Sequence, residues 1–181
     1  MKDQKGFSLI ELLIVVAVVS VLAAIAIPNL LASKRAANES SAIASLRTLH
    51  GAQMTYAASA GNLQFAGSTN AGTPGAPGIV PLQQLHGVQL IDTVLASGIK
   101  SYYRFGGERG LGVSGSAATF YFTVYPINTT GLTQTGTRRF GIGTPGVIVR
   151  DGTAATLGTF LTYDEIQVCQ VTPGACAPLS E

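Results

Sequence analysis

The chain has 181 residues, 46% of them hydrophobic and 11% charged, against about a quarter charged in an ordinary soluble domain, so apolar residues are concentrated somewhere. This length suits one domain, and 22 glycines with 8 prolines predict a turn-rich, β-containing body. A net charge of +2 with scattered arginines argues against the basic stripe that a nucleic-acid backbone requires, so no specific nucleic acid is expected as a partner.

The apolar excess lies at the front. Residues 7–27 carry one charge, Glu11, and as a helix they span roughly 30 Å, one membrane crossing. A core helix of a soluble protein seldom runs so long without a polar face. The charged leader, residues 1–6 (MKDQKG), precedes the apolar run, whereas a secretory signal places its apolar stretch before a cleavage site. Lys2 and Lys5 lie before the span and Lys34, Arg35 and Arg47 after it, so charge alone leaves orientation open.

Lys5-Gly6-Phe7-Ser8-Leu9-Ile10-Glu11-Leu12-Leu13, followed by an apolar run ending Ala24-Ile25-Ala26-Ile27-Pro28, resembles the N-terminus of type IV pilins and type II secretion pseudopilins. The stretch from Lys34 to Thr48 is similar to the stem helix of pilin-like proteins, and beyond it the likeness is looser. Ser8 stands where the family often has threonine. The resemblance implies that a prepilin peptidase cuts after Gly6, that the new amine of Phe7 is N-methylated, and that the remainder faces out of the cytoplasm. It further implies storage as a single-pass protein of the bacterial inner membrane. An assembly platform and an ATPase motor then build a homo-oligomeric helical filament, either an extracellular pilus or a periplasmic pseudopilus.

The same residues can be read physically. Gly6 has no side chain to obstruct a protease, although a flexible glycine before a helix looks the same. Glu11 lies four residues after Phe7, so its carboxylate and a terminal amine there would share one helix face and pair within or between subunits; a carboxylate tolerated at the membrane edge is the other reading. Pro28 removes a backbone donor and clashes with the carbonyl of Ala24, which predicts a kink, or else the end of the first helix.

From 28 to 60 the helical pattern resumes. Ile43, Leu46, Leu49 and Tyr56 fall within an arc of about 140°, with Ser41, Thr48 and Thr55 opposite, so one face is expected to take a sheet. Lys34, Arg35 and Glu39 are candidates for subunit contacts, and Gly61-Asn62 reads as a helix stop. Residues 61–81 read as an exposed loop, and 82–96 as a short amphipathic helix weakened by Gly87 and stopped by Gly98. Strands are expected over 101–105, 119–125, 137–142 and 146–150. Along the second of these, Phe120, Phe122 and Val124 share the face expected to cover the stem, with Tyr121, Thr123 and Tyr125 behind.

The fold class is therefore α+β: a long N-terminal helix, half transmembrane and half amphipathic, packed on an antiparallel sheet of about four strands. The organisation is a leader (1–6), a transmembrane and polymerisation helix (7–27), a stem (28–60) and a head (61–181). The head comprises a loop region (61–100), a sheet (101–150) and a tail (151–181).

Catalytic signals are thin: a membrane-anchored enzyme or ligand-binding domain is the remote alternative, but it would need a convergent polar cluster that the sequence does not display, so neither an enzyme nor a cofactor is expected. His50 and His86 have no acid or nucleophile at an interpretable spacing and read as structural. The run from Gly110 to Gly115 matches G-x-G-x-x-G but leads into a strand, so it reads as a turn. None of the four lysines follows a glycine, which leaves no phosphate loop, so energy for assembly must come from another protein. Asp151, Asp164 and Glu165 offer oxygen ligands, yet no spacing demands calcium; they read as solvated turn residues, and no metal is expected. Cys169 and Cys176 suit a local disulfide in an oxidising compartment. Asn128-Thr129-Thr130 fits a short glycosylation pattern that often occurs by chance.

Overall fold

The computed structural model describes residues 6–68, 76–111, 117–171 and 176–179; most of the leader and of the glycine-rich run at 110–115 lies outside them. The chain divides into two compact units, Met1–Lys34 and Arg35–Glu181. The 51-residue helix α1 (Leu9–Ser59) supplies most of the first and the opening element of the second. It passes through Pro28 without ending there. Next to this missing donor, Asn29 Nδ2 donates to the carbonyl of Ile25 at 3.2 Å.

In the second unit α1 buries Ala42, Ser45, Leu46, Leu49, Ala52 and Gln53, the three-and-four spacing of one helix face. That face meets a six-stranded sheet: β1 (Ile99–Lys100), β2 (Tyr103–Gly110), β3 (Thr119–Pro126), β4 (Arg139–Gly143), β5 (Ile148–Asp151) and β6 (Cys176–Pro178). The strands lie side by side in chain order, each antiparallel to the next. The register sets Phe105 against Val124 and Val124 against Phe140. These residues share a core cluster with Phe120, Phe122, Leu46 and Leu49, so the period-two reading of the central strand is borne out.

Six strands rather than four follow from the two ends of the sheet. Ser101 and Tyr102 are not strand but the turn between β1 and β2, and β6 adds an edge in the tail. The tail also forms helix α4 (Tyr163–Val171), where no element was predicted. The helix expected over 82–96 is two helices, α2 (Val80–Gly87) and α3 (Thr93–Ala96). Gln89 has φ 58°, which breaks the first, and Asp92 starts the second by accepting from the amide of Leu95 at 2.9 Å. The 61–81 loop is not wholly exposed. Phe65 and Ala66 are buried, and the Gln53 amide bonds both backbone groups of Ala66, at 2.8 and 2.9 Å.

The sheet is covered on its other face as well, where Tyr121 and Val149 pack with Leu161, Ile166 and Cys169. Glycines make this approach possible. A Cβ on Gly141 would lie 2.7 Å from the Ile166 side chain, and one on Gly106 would lie 2.8 Å from the Phe160 ring.

Candidate functional site

Gly6, Phe7 and Ser8 precede the helix. A Cβ on Gly6 would meet nothing within 4 Å, so the fold itself does not ask for glycine there. The first turn of α1 holds Glu11, where the unpaired amides of a helix N-terminus favour a carboxylate. Its side chain is exposed, and among the described residues it has no basic partner. With the leader attached, the nitrogen of Phe7 is a peptide amide, so the amine that would face Glu11 arises only on cleavage.

The helix that follows is long and apolar enough to cross a membrane, and none of its most apolar window is buried. Leu9, Ile10, Leu12, Leu13 and Ile14 are each more than half exposed. The hydroxyl of Ser20 turns back to donate to the carbonyl of Val16 at 2.8 Å, which leaves no free donor to offend a lipid or a dry helix contact. Among its described residues the first unit thus presents an exposed apolar helix with one carboxylate, Glu11, near its start.

Of the charges proposed for subunit contacts, Glu39 is not available, because it is only 4% exposed. It accepts from the Thr137 amide and hydroxyl at 2.7 and 2.8 Å, and from Nε and a terminal nitrogen of Arg138 at 2.9 and 2.6 Å. It lies on the buried face of α1, one turn before Ala42, against Thr137 and Arg138 just ahead of β4, which explains its burial. Arg35 is half-buried and donates to the carbonyl of Gln134 at 3.3 Å, whereas Lys34 is exposed.

Asp151 is likewise no solvated turn residue. It is buried against Arg139 at 2.6 Å and also accepts from the amide and hydroxyl of Thr153. Burial pushes its carboxyl upward, but the Thr153 hydrogen bonds and the Arg139 guanidinium outweigh that and hold it below the usual range. Glu165 is lowered in the same way: burial opposes the shift, and hydrogen bonds from Thr162 with the charge of Arg139 carry it. Glu165 and Thr162 also cap α4 reciprocally, Thr162 N to Oε2 at 2.6 Å and Glu165 N to the Thr162 hydroxyl at 3.3 Å. This T-x-x-E pattern was a legible start signal that the reading of Glu165 as a turn residue missed. Asp164 is exposed on the first turn of the same helix. Among the described residues no group of three or more His, Cys, Asp or Glu is placed to hold a metal.

Cys169 and Cys176 form a disulfide with their Cα atoms 5.4 Å apart, which ties α4 to β6. His50 lies 3.2 Å from the Thr144 carbonyl and against the Phe120 ring, and His86 lies 3.2 Å from the Thr93 hydroxyl.

The N-terminus carries a prokaryotic methylation motif. Residues 1–27 match the family model described as the prokaryotic N-terminal methylation motif. Over 39 residues the chain is 59% identical to the type IV wide pilus major component PilA4 of Thermus thermophilus, covering 22% of this chain and 30% of that protein. It is 46% identical over 52 residues to the type IV major pilin protein PilA of Myxococcus xanthus, 29% of this chain and 24% of that protein. It is 36% identical over 56 residues to the type II secretion system core protein G of Klebsiella pneumoniae, 31% of this chain and 40% of that protein. The match therefore spans less than half the length of each of these relatives. No solved structure matches the chain. A long N-terminal helix against an antiparallel sheet, behind this motif, is the pilin-like α+β arrangement.

Proposed function

We propose that the chain is a structural subunit of a type IV pilus-like filament and not an enzyme, held in the inner membrane by its N-terminal helix and polymerised through it. The observation that carries this is the division of one helix. In its first half none of the most apolar stretch is buried, while its second half buries one face, from Glu39 to Gln53, in a head. Exposed apolar surface on this scale needs lipid or protein around it, and a filament core exchanges the first for the second.

In this reading a prepilin peptidase removes residues 1–6 after Gly6, Phe7 becomes the methylated N-terminus, and Glu11 pairs with that amine as subunits stack. Pro28, which removes one backbone donor inside the helix, is in this reading the point at which the helix can bend as neighbours pack. An assembly platform and an ATPase supply the work. The likeness to protein G supports a second reading, a pseudopilin of a type II secretion system. Shearing surface filaments from cells and measuring the intact mass of their subunit tests the first: a subunit beginning at methylated Phe7 is expected. Sheared filaments that lack this chain, with secretion lost on its deletion, would favour the pseudopilin. Gly6→Val should leave full-length precursor in the membrane and no filament, and assembled subunits still carrying Met1 to Gly6 would overturn the processing step.

A further inference from the structure

The sheet face of the head that looks away from α1 carries opposite charges at its two ends, set in one row. Arg104 pairs with Tyr125, Val124 with Phe140, and Arg139 with Asp151, so Arg104, Tyr125, Arg139 and Asp151 stand side by side from β2 to β5. Their neighbours Phe105, Val124 and Phe140 face the core shared with Leu46 and Leu49, which turns the row to the opposite face. Asp151 ends the row in a cleft of about 410 Å³. Leu161 and Val168 give this cleft apolar walls, and Arg139, Asp151, Asp164 and Glu165 give it charge. Arg139 is fully engaged, donating to Asp151, to the Thr159 hydroxyl, to the Phe160 carbonyl and to Glu165. Three carboxylates against one arginine leave the cleft with a net charge of −2. Asp164 is exposed, and among the described residues it has no basic partner.

The other end of the row is basic. Arg104 is exposed and among the described residues has no acid partner. Three strand spacings, about 14 Å, separate it from Asp151, so it cannot fill the cleft of its own chain. A bare metal ion suits that cleft poorly, because among the described residues no three or more His, Cys, Asp or Glu converge to hold one. A guanidinium on an aliphatic stem suits it well: the stem lies on Leu161 and Val168 while the planar head meets carboxylates. Cation and cleft sit at opposite ends of one row, so a copy displaced along that row sets the arginine of one chain against the carboxylates of the next. Such a contact is head-to-tail and repeats without closing, as a filament requires. A half-exposed charge contact is weak alone, so it aligns heads that the apolar helices already hold together.

We propose that Arg104 of one subunit seats in the cleft bounded by Asp151, Asp164 and Glu165 on a second copy of the chain. This rests on the filament reading above. Arg104→Lys keeps the charge and supplies an amine, which a water-soluble carbodiimide joins only to a carboxylate in direct contact. Filaments sheared from cells expressing this full chain and then treated should give a covalent dimer on denaturing gels, in which the peptide carrying position 104 is joined to Asp164 or Glu165. Arg47→Lys, exposed on α1, should give no link to either. In a second measurement Arg104→Glu and Asp164→Arg should each lower the yield of sheared filament roughly fivefold, and the two together should restore it, with leader cleavage and the Cys169–Cys176 disulfide unchanged. If filaments form but position 104 links to another carboxylate or to none, the contact is overturned and the filament reading stands. A double swap as poor as either single one has the same meaning. A link from Arg47→Lys to the cleft, or a cleft peptide joined to a different protein, would give the surface another occupant and overturn the contact equally. If the unsubstituted chain yields no filament, the filament reading fails and this contact falls with it.

Discussion

Glu11, Glu39 and Asp151 carry the same functional group in three environments, and the environment decides what each can do. Glu11 is exposed on an apolar helix and among the described residues has no basic partner, which suits the assembly role proposed for it. Glu11→Val should insert in the membrane at least as well and lose its leader normally, yet yield few or no sheared filaments, because a buried terminal ammonium without its carboxylate costs several kcal/mol per subunit. Normal filament yield from cells expressing only that variant would remove Glu11 from the assembly step. Asp151 is bound to the head's own needs. Asp151→Asn leaves the buried Arg139 short of its nearer carboxylate and should destabilise the head by about 3–5 kcal/mol in urea unfolding. Asp151 and Glu165 ionise more readily folded than unfolded, so their contribution is present above the unfolded carboxylate value of about 4 and is lost as pH falls through their lower folded values. Asp151→Asn should therefore flatten the acid limb of the stability curve. An unchanged limb would show that other carboxyls govern it.

At the scale of elements, α4 has two supports that act at its two ends. Thr162 and Glu165 cap its start, and the disulfide fixes its final turns to β6. Thr162→Ala should cost about 1 kcal/mol, and reduction about 2.5 kcal/mol by the chain-entropy estimate for so short a loop, both read as shifts in the urea midpoint. Loss of the α4 helical signal without loss of the sheet on reduction would mean instead that the tail folds independently. The stem of α1 and strand β3 were legible because their burial follows a clean period: Leu46 and Leu49 at helical spacing, and Phe120, Phe122 and Val124 at every second residue. β2 was legible only as far as Phe105, since Gly106, Gly107, Glu108 and Gly110 have poor strand propensity; eight paired positions with β3 impose the conformation. α4 was not legible from periodicity, because only Ile166 and Cys169 of its nine residues are buried. At the N-terminus the motif was readable because a membrane span and its flanks are local in sequence, whereas the Glu39 and Arg138 pairing joins residues 99 apart and leaves no local trace.

For the whole molecule, burial separates the two units sharply. Among the described residues none before Glu39 is buried, and every member of both core clusters lies at Ala42 or later. The apolar excess that raised the overall composition therefore contributes nothing to the core of the head. In the proposed reading its free energy is realised against lipid or against other subunits. Exporting residues 35–181 alone to an oxidising compartment should consequently give a soluble protein that retains the Cys169–Cys176 disulfide. Its unfolding free energy should match that of the head in the full chain to within about 0.5 kcal/mol, the range expected when no named core feature is touched. The same fragment should fail to enter filaments even when full-length subunits are present, because it keeps Glu39, used internally, but lacks Glu11 and the cylinder that carries it. Analytical ultracentrifugation, urea unfolding and mass analysis of sheared filaments read the three outcomes. A fragment that precipitates or unfolds would show that residues before Arg35 support the head after all. A fragment that is folded and still co-assembles would move the polymerising surface from the apolar helix onto the head.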